Sequence, residues 1–149
     1  MQAGERSSEG RHEARRIEDD AVELVVRGDV VPDDVDRLLK HERLIRADHG
    51  YSLVLVDASA MGAMSPQARK HAADVMKSDP GYVGALAIHG APFLIRTIIN
   101  LILRATALIS KASAQPMEYF AKRADAVTWL HTQRRSLQAR HGKIPATGT

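Results

Sequence analysis

Apolar residues recur with two different periods along the chain, and these periods predict strands and helices in turn. Val22, Leu24 and Val26 alternate with positions that include Glu23 and Arg27, which indicates a half-buried strand. An acidic turn separates this strand from a shorter one near Ile17. Residues 52–59, SLVLVDAS, are an apolar run ending at Asp57, which is typical of a central parallel strand covered on both faces. The N-terminal half is therefore predicted to form a hairpin followed by a buried strand.

Helical segments are recognised by their period and by residues that favour helix ends. Pro32 opens the first helix, where aspartates follow in the first turn and Gly50 supplies a left-handed end. Ser65 and Pro66 form an N-cap and first-turn pair for a second helix, after an expected loop at 60–64. Strands and helices then alternate, with strands at 82–90 and 117–120 and helices at 92–110 and after Phe120.

This alternation predicts an α/β fold, because right-handed crossovers place helices on a mostly parallel sheet, to which the opening hairpin adds an antiparallel strand. A length of 149 residues suits one domain, which is expected at 15–141, between a disordered leader at 1–14 and a disordered tail at 142–149. Ligands of such sheets bind beyond the carboxyl ends of the strands. The rim residues predicted to contact an anion or a partner are Asp57, Ser65, His89 and Gly90.

Residues 92–110 are the most apolar stretch of the chain and carry two arginines but no acid. A membrane span is disfavoured, because Arg104 near its middle costs about 3 kcal/mol in a bilayer and because the stretch joins two strands of one sheet. Arg96, Asn100 and Arg104 form a narrow polar stripe, and the apolar remainder is wider than the arc of about 100° that packing on one sheet face requires. Part of that apolar surface is therefore expected to stay exposed.

The excess apolar surface predicts contact with an apolar or lipid-like ligand, or with an anionic membrane surface whose phosphates the arginines reach. Two other interpretations stay open, since the helix also suits a well-buried core position or the interface of a homodimer. The predicted ligand- or membrane-binding residues are Phe93, Leu94, Arg96, Ile98, Ile99, Leu101, Ile102, Leu103 and Arg104.

Charge is distributed unevenly along the chain. Residues 1–90 hold 12 Lys/Arg against 16 Asp/Glu, a net charge of −4, whereas residues 91–149 hold 9 against 2, a net charge of +7. An anionic partner, either lipid headgroups or nucleic acid, suits the second half. Nucleic acid is the weaker interpretation, because the basic cluster near the C-terminus has no aromatic platform beyond Trp129, which is expected in the core. That cluster consists of Arg134, Arg135, Arg140 and Lys143.

Catalytic and metal chemistry are not indicated by the sequence. It contains no cysteine, and its seven histidines show no recognisable metal-ligand spacing. Asp57, Ser65 and His89 would suit a hydrolase if they converged, but no Gly-x-Ser-x-Gly elbow accompanies them. A protein without enzymatic activity, metal or cofactor is expected. Because the first sixteen residues form no secretory signal, its expected location is the cytoplasm, with peripheral contact to a membrane under the lipid interpretation.

Several stretches follow one another in a familiar order over residues 17–138: LVLVDAS before SPQARK, VGALAIHG leading into PFLIRTIINLILRA, and PMEYF before ADAVTWL. In this order they resemble the SpoIIAA-like family, a branch of the STAS fold often grouped with CRAL-TRIO lipid-transfer domains. The resemblance implies a five-stranded sheet with four helices, no metal or fixed cofactor, and a role in binding or regulation.

In anti-sigma-factor antagonists of the STAS fold, a serine at the start of the helix after the central strand is phosphorylated within an Asp-Ser-Ser-Gly motif. Ser65 is its positional counterpart, although this chain reads Met-Ser-Pro-Gln over 64–67, without the acid or the glycine. From the residues alone, Ser65 is interpreted as a helix N-cap. The resemblance implies an alternative function, a regulatory protein-interaction module with the Ser65 region as its contact or phosphorylation face.

Overall fold

The chain forms one sheet with helices on both faces in a computed structural model that describes residues 12–78, 83–107 and 116–142. The strands are β1 (Glu13–Glu18), β2 (Ala21–Val30), β3 (Ser52–Met64), β4 (Gly84–His89) and β5 (Met117–Phe120). The helices in the described residues are α1 (Pro32–His49), α2 (Pro66–Lys77), α3 (Phe93–Ala107) and α4 (Arg123–His141). Neighbouring strands in the sheet are neighbours in the chain, with β1 antiparallel to β2 and the other pairs parallel. The predicted five-stranded, mostly parallel fold is confirmed.

Helix starts and ends lie close to their predicted positions. Pro32 and Pro66 are the first residues of α1 and α2, where the missing proline N–H is not needed. Asp34 accepts a hydrogen bond from the Val31 N–H at 2.9 Å and so caps the start of α1. Gly50 ends α1 with a φ of 87°, which favours glycine.

The predicted loop at 60–64 is wrong, because β3 continues through it to Met64. β2 is equally long, and its last residues pair with these positions of β3, as in the register of Val30 with Met64. Two irregularities in that register bend the pair without ending it. A run of small residues and methionines has little strand propensity of its own, and pairing with β2 imposes the strand.

The two faces of the sheet are covered by different helices. α1, α2 and α3 pack side by side on one face, because right-handed crossovers between strands that are adjacent in the chain all fall on the same side. α4 follows the last strand and covers the opposite face. Successive residues of β3 therefore point into two cores, with Val54 toward α1 and Leu53 and Leu55 toward α4.

Buried α4 residues are Ala126, Leu130 and Leu137. Ala124, in the first turn of this helix, is exposed. Trp129 is half-buried and lies 5.8 Å from the Phe120 ring, between ring centroids, at a tilt of 50°. The inward stripe of α4 is thus narrow, and polar contacts with the first hairpin supplement it.

Those polar contacts are ion pairs between α4 and acids near the N-terminus. Arg134 donates two hydrogen bonds to the Asp20 carboxylate, at 2.8 and 2.7 Å, and also contacts Glu18. Arg123 donates two to Glu23, at 3.0 and 3.1 Å. Part of the positive charge of the second half therefore neutralises acids of the first half. Arg134 is consequently committed to a contact within the fold, which weakens the nucleic-acid interpretation of the C-terminal cluster.

Candidate functional site

The sheet register brings three titratable side chains together where the carboxyl end of β4 lies beside the middle of β3. Asp57 pairs with Val25 on β2 and with His89 on β4, and Glu23 lies two positions before Val25. Since side chains alternate between faces, Glu23, Asp57 and His89 all point to the face that α4 covers. One carboxylate oxygen of Glu23, one of Asp57 and one ring nitrogen of His89 lie within 4.8 Å of one another.

His89 carries an unusual nitrogen in this cluster. The residue is only 8% exposed, and its Nε2 is buried without a hydrogen-bond partner in the structure. The nearest carboxylate oxygen, Glu23 Oε2, is 3.9 Å away, beyond hydrogen-bonding range. Within the described residues, no other buried side-chain nitrogen or oxygen is unsatisfied in this way.

Glu23 is a buried carboxylate held by arginines from both sides. It is 2% exposed and accepts hydrogen bonds from Arg15 on β1 and from Arg123 at the start of α4. Burial raises the pKa of Glu23, but the hydrogen bonds and charges of Arg123 and Arg15 outweigh burial, so the pKa lies below its ordinary value of 4.5. Glu23 is therefore ionised in the folded protein at neutral pH.

Asp57 is fixed by the residue two positions after it. Ser59 donates to Asp57 Oδ1 from its N–H at 3.0 Å and from its hydroxyl at 2.6 Å. Burial raises the pKa of Asp57, whereas these hydrogen bonds and the nearby His89 and Arg27 lower it, leaving it below 3.8. The Asp57 carboxylate is thus charged and held in a defined orientation.

Gly90 permits the chain to pass close to Ser59 between β4 and α3. Its φ is 75°, and its N–H donates to the Phe120 carbonyl at 3.0 Å. A Cβ at this position would lie 2.9 Å from the Ser59 Cβ. Gly90 therefore sets the approach of the two rim segments to each other.

Gly90→Ala is expected to lower the free energy of unfolding by about 1–3 kcal/mol, because it adds backbone strain to a steric clash. Denaturant unfolding measures the loss. The double variant Gly90→Ala/Ser59→Gly lacks the Ser59 Cβ with which the new alanine clashes, so it is expected to recover part of the lost stability. Equal stability of the Gly90→Ala single and double variants would show that the close approach is absent.

Ser65 does not join the cluster. It follows β3, eight positions after Asp57, and its N–H donates to the Val30 carbonyl at 3.3 Å. Its hydroxyl caps α2 by accepting a hydrogen bond from the Ala68 N–H at 3.0 Å. The N-cap interpretation is confirmed, and the separation removes the nucleophile that a hydrolase built on these three residues would need.

α3 leaves three large apolar side chains in solvent. Phe93 is 77% exposed, Leu94 67% and Leu101 56%, on the side of the helix that also carries Arg96 and Arg104. The expected surplus of apolar surface is therefore present in the described part of this helix. In those parts of the chain that the structure describes, no helix is long and apolar enough to cross a membrane.

The inner side of α3 packs on the sheet. Ile95 is buried, whereas Ile98, Ile99 and Ile102 are half-buried against the core. Three of the nine predicted contact residues, Ile98, Ile99 and Ile102, therefore pack on the sheet. Five are exposed, namely Phe93, Leu94, Arg96, Leu101 and Arg104, and the side chain of Leu103 lies outside the described residues. The well-buried core interpretation applies only to this inner side.

The polar stripe of α3 also serves the fold. Tyr119 on β5 donates to Asn100 Oδ1 at 2.8 Å and to the Arg96 carbonyl at 3.3 Å. The Arg96 guanidinium carbon lies 5.9 Å from the centre of the Tyr119 ring. These contacts anchor α3 to the sheet edge beside its exposed apolar side chains.

Glu23 is the member of the cluster that the sequence did not reveal. Its alternation with valine and leucine predicts a solvent-facing position, since nothing local shows that a distant helix covers that face. One sequence signal was present: Arg15 lies opposite Glu23 in the hairpin register and pairs with it at 3.1 Å. Spacing rules for metal ligands also miss the cluster, because its members lie on three strands.

Comparisons with known proteins agree with this architecture. The SpoIIAA-like family matches residues 21–131. An uncharacterized protein of the DUF3478 family with a SpoIIAA-like fold, from Shewanella loihica PV-4, has a TM-score of 0.57 at 17% identity, over 83% of this chain and 98% of its own. The unphosphorylated anti-sigma factor antagonist SpoIIAA has a TM-score of 0.52 at 8% identity, over 80% of this chain and 97% of its own.

Among curated protein sequences, none matches this chain. The two solved structures are similar to this chain in fold. The family match extends from β2 into α4 and so contains most of the sheet, together with α3 and the cluster of Glu23, Asp57 and His89. On this match, the chain belongs to the SpoIIAA-like family.

Proposed function

We propose that this chain is a regulatory module that binds a protein partner through the exposed side of α3 and the start of α2. The observation that carries the proposal is the exposure of Phe93, Leu94 and Leu101 beside two arginines. Similarity in fold to an anti-sigma factor antagonist supports a protein as the partner. α2 and α3 pack against each other and both begin at the carboxyl edge of the parallel strands, so one partner can reach both.

The exposed side of α3 has the composition of a contact surface. Each large apolar side chain left in water forgoes about 1.5–3 kcal/mol of burial, so three on one helix are costly without a partner. Aromatic residues and arginine are also enriched in protein interfaces, and Phe93, Arg96 and Arg104 supply both. The arginines favour a partner surface that combines apolar and acidic groups.

Ser65 offers a means of controlling such a contact. It is half-buried at the first turn of α2, where helix N–H groups stabilise an anion. Arg69 lies in the same turn and donates to the Met64 carbonyl at 2.8 Å. A phosphate on Ser65 would gain hydrogen bonds there while breaking the Ala68 cap, and it would change the charge of the contact surface.

A lipid-like ligand or an anionic membrane is the second candidate. The observation that favours it is the arrangement of Leu94 and Leu101 next to Arg96 and Arg104, because helices in a membrane interface place arginines at the phosphates and leucines among the acyl chains. A protein partner remains the preferred proposal, because it also accounts for the similarity to an antagonist.

The Leu94→Ser/Leu101→Ser variant is expected to lose a specific protein partner. Immobilised full-length chain captures partners from extract of the source cells, and quantitative mass spectrometry compares them with those of the variant. Loss of a partner by at least tenfold is expected, since removing two exposed leucines from an interface costs about 1–2 kcal/mol each. Leu44→Ser is the matched control, because Leu44 is 57% exposed on α1, close to the 56% of Leu101.

Ser65→Glu is the second variant of this experiment. It places a negative charge on the proposed contact surface and is expected to weaken capture, whereas Ser65→Ala, which removes a cap worth about 1 kcal/mol, should retain it. Vesicles with and without anionic lipid test the lipid candidate in parallel. Two results together would overturn the protein proposal in favour of lipid. The chain would float with anionic vesicles only when Leu94 and Leu101 are present, and the Leu94→Ser/Leu101→Ser variant would capture the same proteins as the unaltered chain.

A further inference from the structure

We propose that Glu23, Asp57 and His89 form a binding site for a first-row divalent cation such as Zn²⁺. One imidazole nitrogen and two carboxylate oxygens from three adjacent strands lie within 4.8 Å of one another. This is the ligand number of zinc sites that keep a fourth position open for water or another ligand. The site lies on the face that α4 covers, away from the proposed contact surface of α3, and it does not depend on the proposed function.

The buried Nε2 of His89 points most directly to a ligand. A buried nitrogen without a hydrogen bond is costly, and native proteins satisfy nearly all such atoms. Neutral imidazole is also the commonest metal ligand among side chains. A cation between His89 and the two carboxylates would satisfy this nitrogen, which no described side chain or backbone group does.

Both carboxylates are already oriented by neighbouring groups. Asp57 accepts two hydrogen bonds from Ser59, and both end on Oδ1. Arg15 orients Glu23 by donating to its other oxygen, Oε1, at 3.1 Å. Metal ligands are usually fixed by hydrogen bonds of this kind, because an oriented ligand loses less conformational freedom on binding.

Closure of the site by side-chain rotation would bring the three atoms to a cation. Ligand atoms bound to tetrahedral zinc at about 2.0–2.2 Å lie about 3.3–3.6 Å from one another. His89 Nε2 and Glu23 Oε2 are 3.9 Å apart, and all three ligand atoms lie within 4.8 Å of one another. The side chains must therefore move inward by up to about 1 Å, a shift that rotation about their own bonds supplies with the strands unchanged.

Arg123 is the competitor for this site. Its Nε donates to Glu23 Oε2, the oxygen that faces His89. Its side chain is about half exposed and so is free to move into solvent when a cation arrives. Removal of its positive charge should therefore tighten cation binding, an effect that adventitious binding elsewhere on the surface would not show.

The donor set selects the class of cation. Imidazole favours Zn²⁺, Cu²⁺, Fe²⁺ and Ni²⁺, whereas Ca²⁺, Mg²⁺ and Mn²⁺ prefer oxygen ligands. Zn²⁺ is thus expected to bind in the presence of excess Mg²⁺.

Calorimetric titration of the chelator-treated full-length chain with ZnCl₂ tests the proposal. One saturable ion per chain at this site is expected, with affinity lowered at least tenfold by His89→Ala and by Asp57→Asn. His71→Ala is the matched control, since His71 lies on α2 and pairs with Asp36, and it should leave this affinity unchanged. Arg123→Gln should raise the affinity severalfold. Absence of saturable binding, or equal binding by His89→Ala, would overturn the site.

A second measurement locates the ion in the unaltered protein, so its result does not depend on whether the variants fold. Paramagnetic Co²⁺ in place of Zn²⁺, at substoichiometric amounts, should broaden or shift the backbone amide signals of Ala58 and Gly90, which flank Asp57 and His89. Broadening centred on other histidines or on surface acids, with these two signals unaffected, would contradict the proposal. Partner capture through α3 is measured separately, so failure of either proposal is distinguishable from failure of the other.

Discussion

Arg134→Met is expected to lower the free energy of unfolding by about 2–4 kcal/mol, because it leaves a buried carboxylate without its main partner. Asp20 is 5% exposed and accepts two hydrogen bonds from Arg134 and one from the Tyr51 hydroxyl at 2.5 Å. Breaking a buried pair costs about 3–5 kcal/mol, and the partial exposure of Arg134 and Glu18 reduces that figure. Urea denaturation at pH 7 measures the difference.

The effect of Arg134→Met should diminish in acid. Burial raises the pKa values of Asp20 and Glu18, but hydrogen bonds and charge from Arg134 outweigh it, so both lie below their ordinary values of 3.8 and 4.5. Acids with lowered pKa values stabilise the fold above their unfolded-state pKa, and this stabilisation is lost as the pH falls through the folded-state value. The difference in stability between wild type and variant should therefore shrink progressively as the pH falls below the unfolded-state values of 4.5 and 3.8.

Arg135→Met is the control for this prediction. Arg135 is adjacent on α4 but exposed, and its replacement should change stability by less than about 0.5 kcal/mol. A loss at Arg134 that equals the loss at Arg135, or that persists unchanged at pH 3, would contradict the assigned ion pair.

Leu55→Ala is expected to destabilise the protein by about 2–5 kcal/mol, because it opens a cavity in the core between the sheet and α4. Leu55 is fully buried in the first half of β3, between Glu23 and Ala87 in the sheet register. The neighbouring residues on β4 are alanines, which are too small to fill the space. Denaturant unfolding with an unchanged m-value would identify a loss of packing alone.

Leu44→Ala provides the comparison for the core prediction. Leu44 is 57% exposed, so the same chemical change there should cost less than about 0.5 kcal/mol. A difference below about 1 kcal/mol between the two variants would show that Leu55 is not packed as the structure has it.

Local signals explain how much of the fold is readable from the sequence. Pro32 and Pro66 open helices because their fixed φ and missing N–H suit only the first turn. The exposed apolar side of α3 was also predictable, because the width of an apolar arc depends on the helix alone. Both properties follow from residues that are close in sequence.

Long-range pairing explains what the sequence did not show. The extension of β3 to Met64 depends on β2, and the burial of Glu23 depends on Arg123, 100 positions later. Asp57 and His89 were both predicted at the rim, but their alignment in register, and the distance of Ser65 from them, follow from the length of β3. Propensity and periodicity do not encode such contacts.

The placement of α4 has a consequence for synthesis on the ribosome. Strands that are neighbours in the sheet are also neighbours in the chain, so each strand can pair with the preceding one as it leaves the ribosome. In the same order, α1, α2 and α3 cover one face of the growing sheet. The opposite side, with Leu53 and Leu55, has no cover until residues 123–141 leave the exit tunnel. A nascent chain that stalls before this point exposes one apolar face of the sheet to solvent. We therefore expect chaperone dependence to be greatest at that chain length.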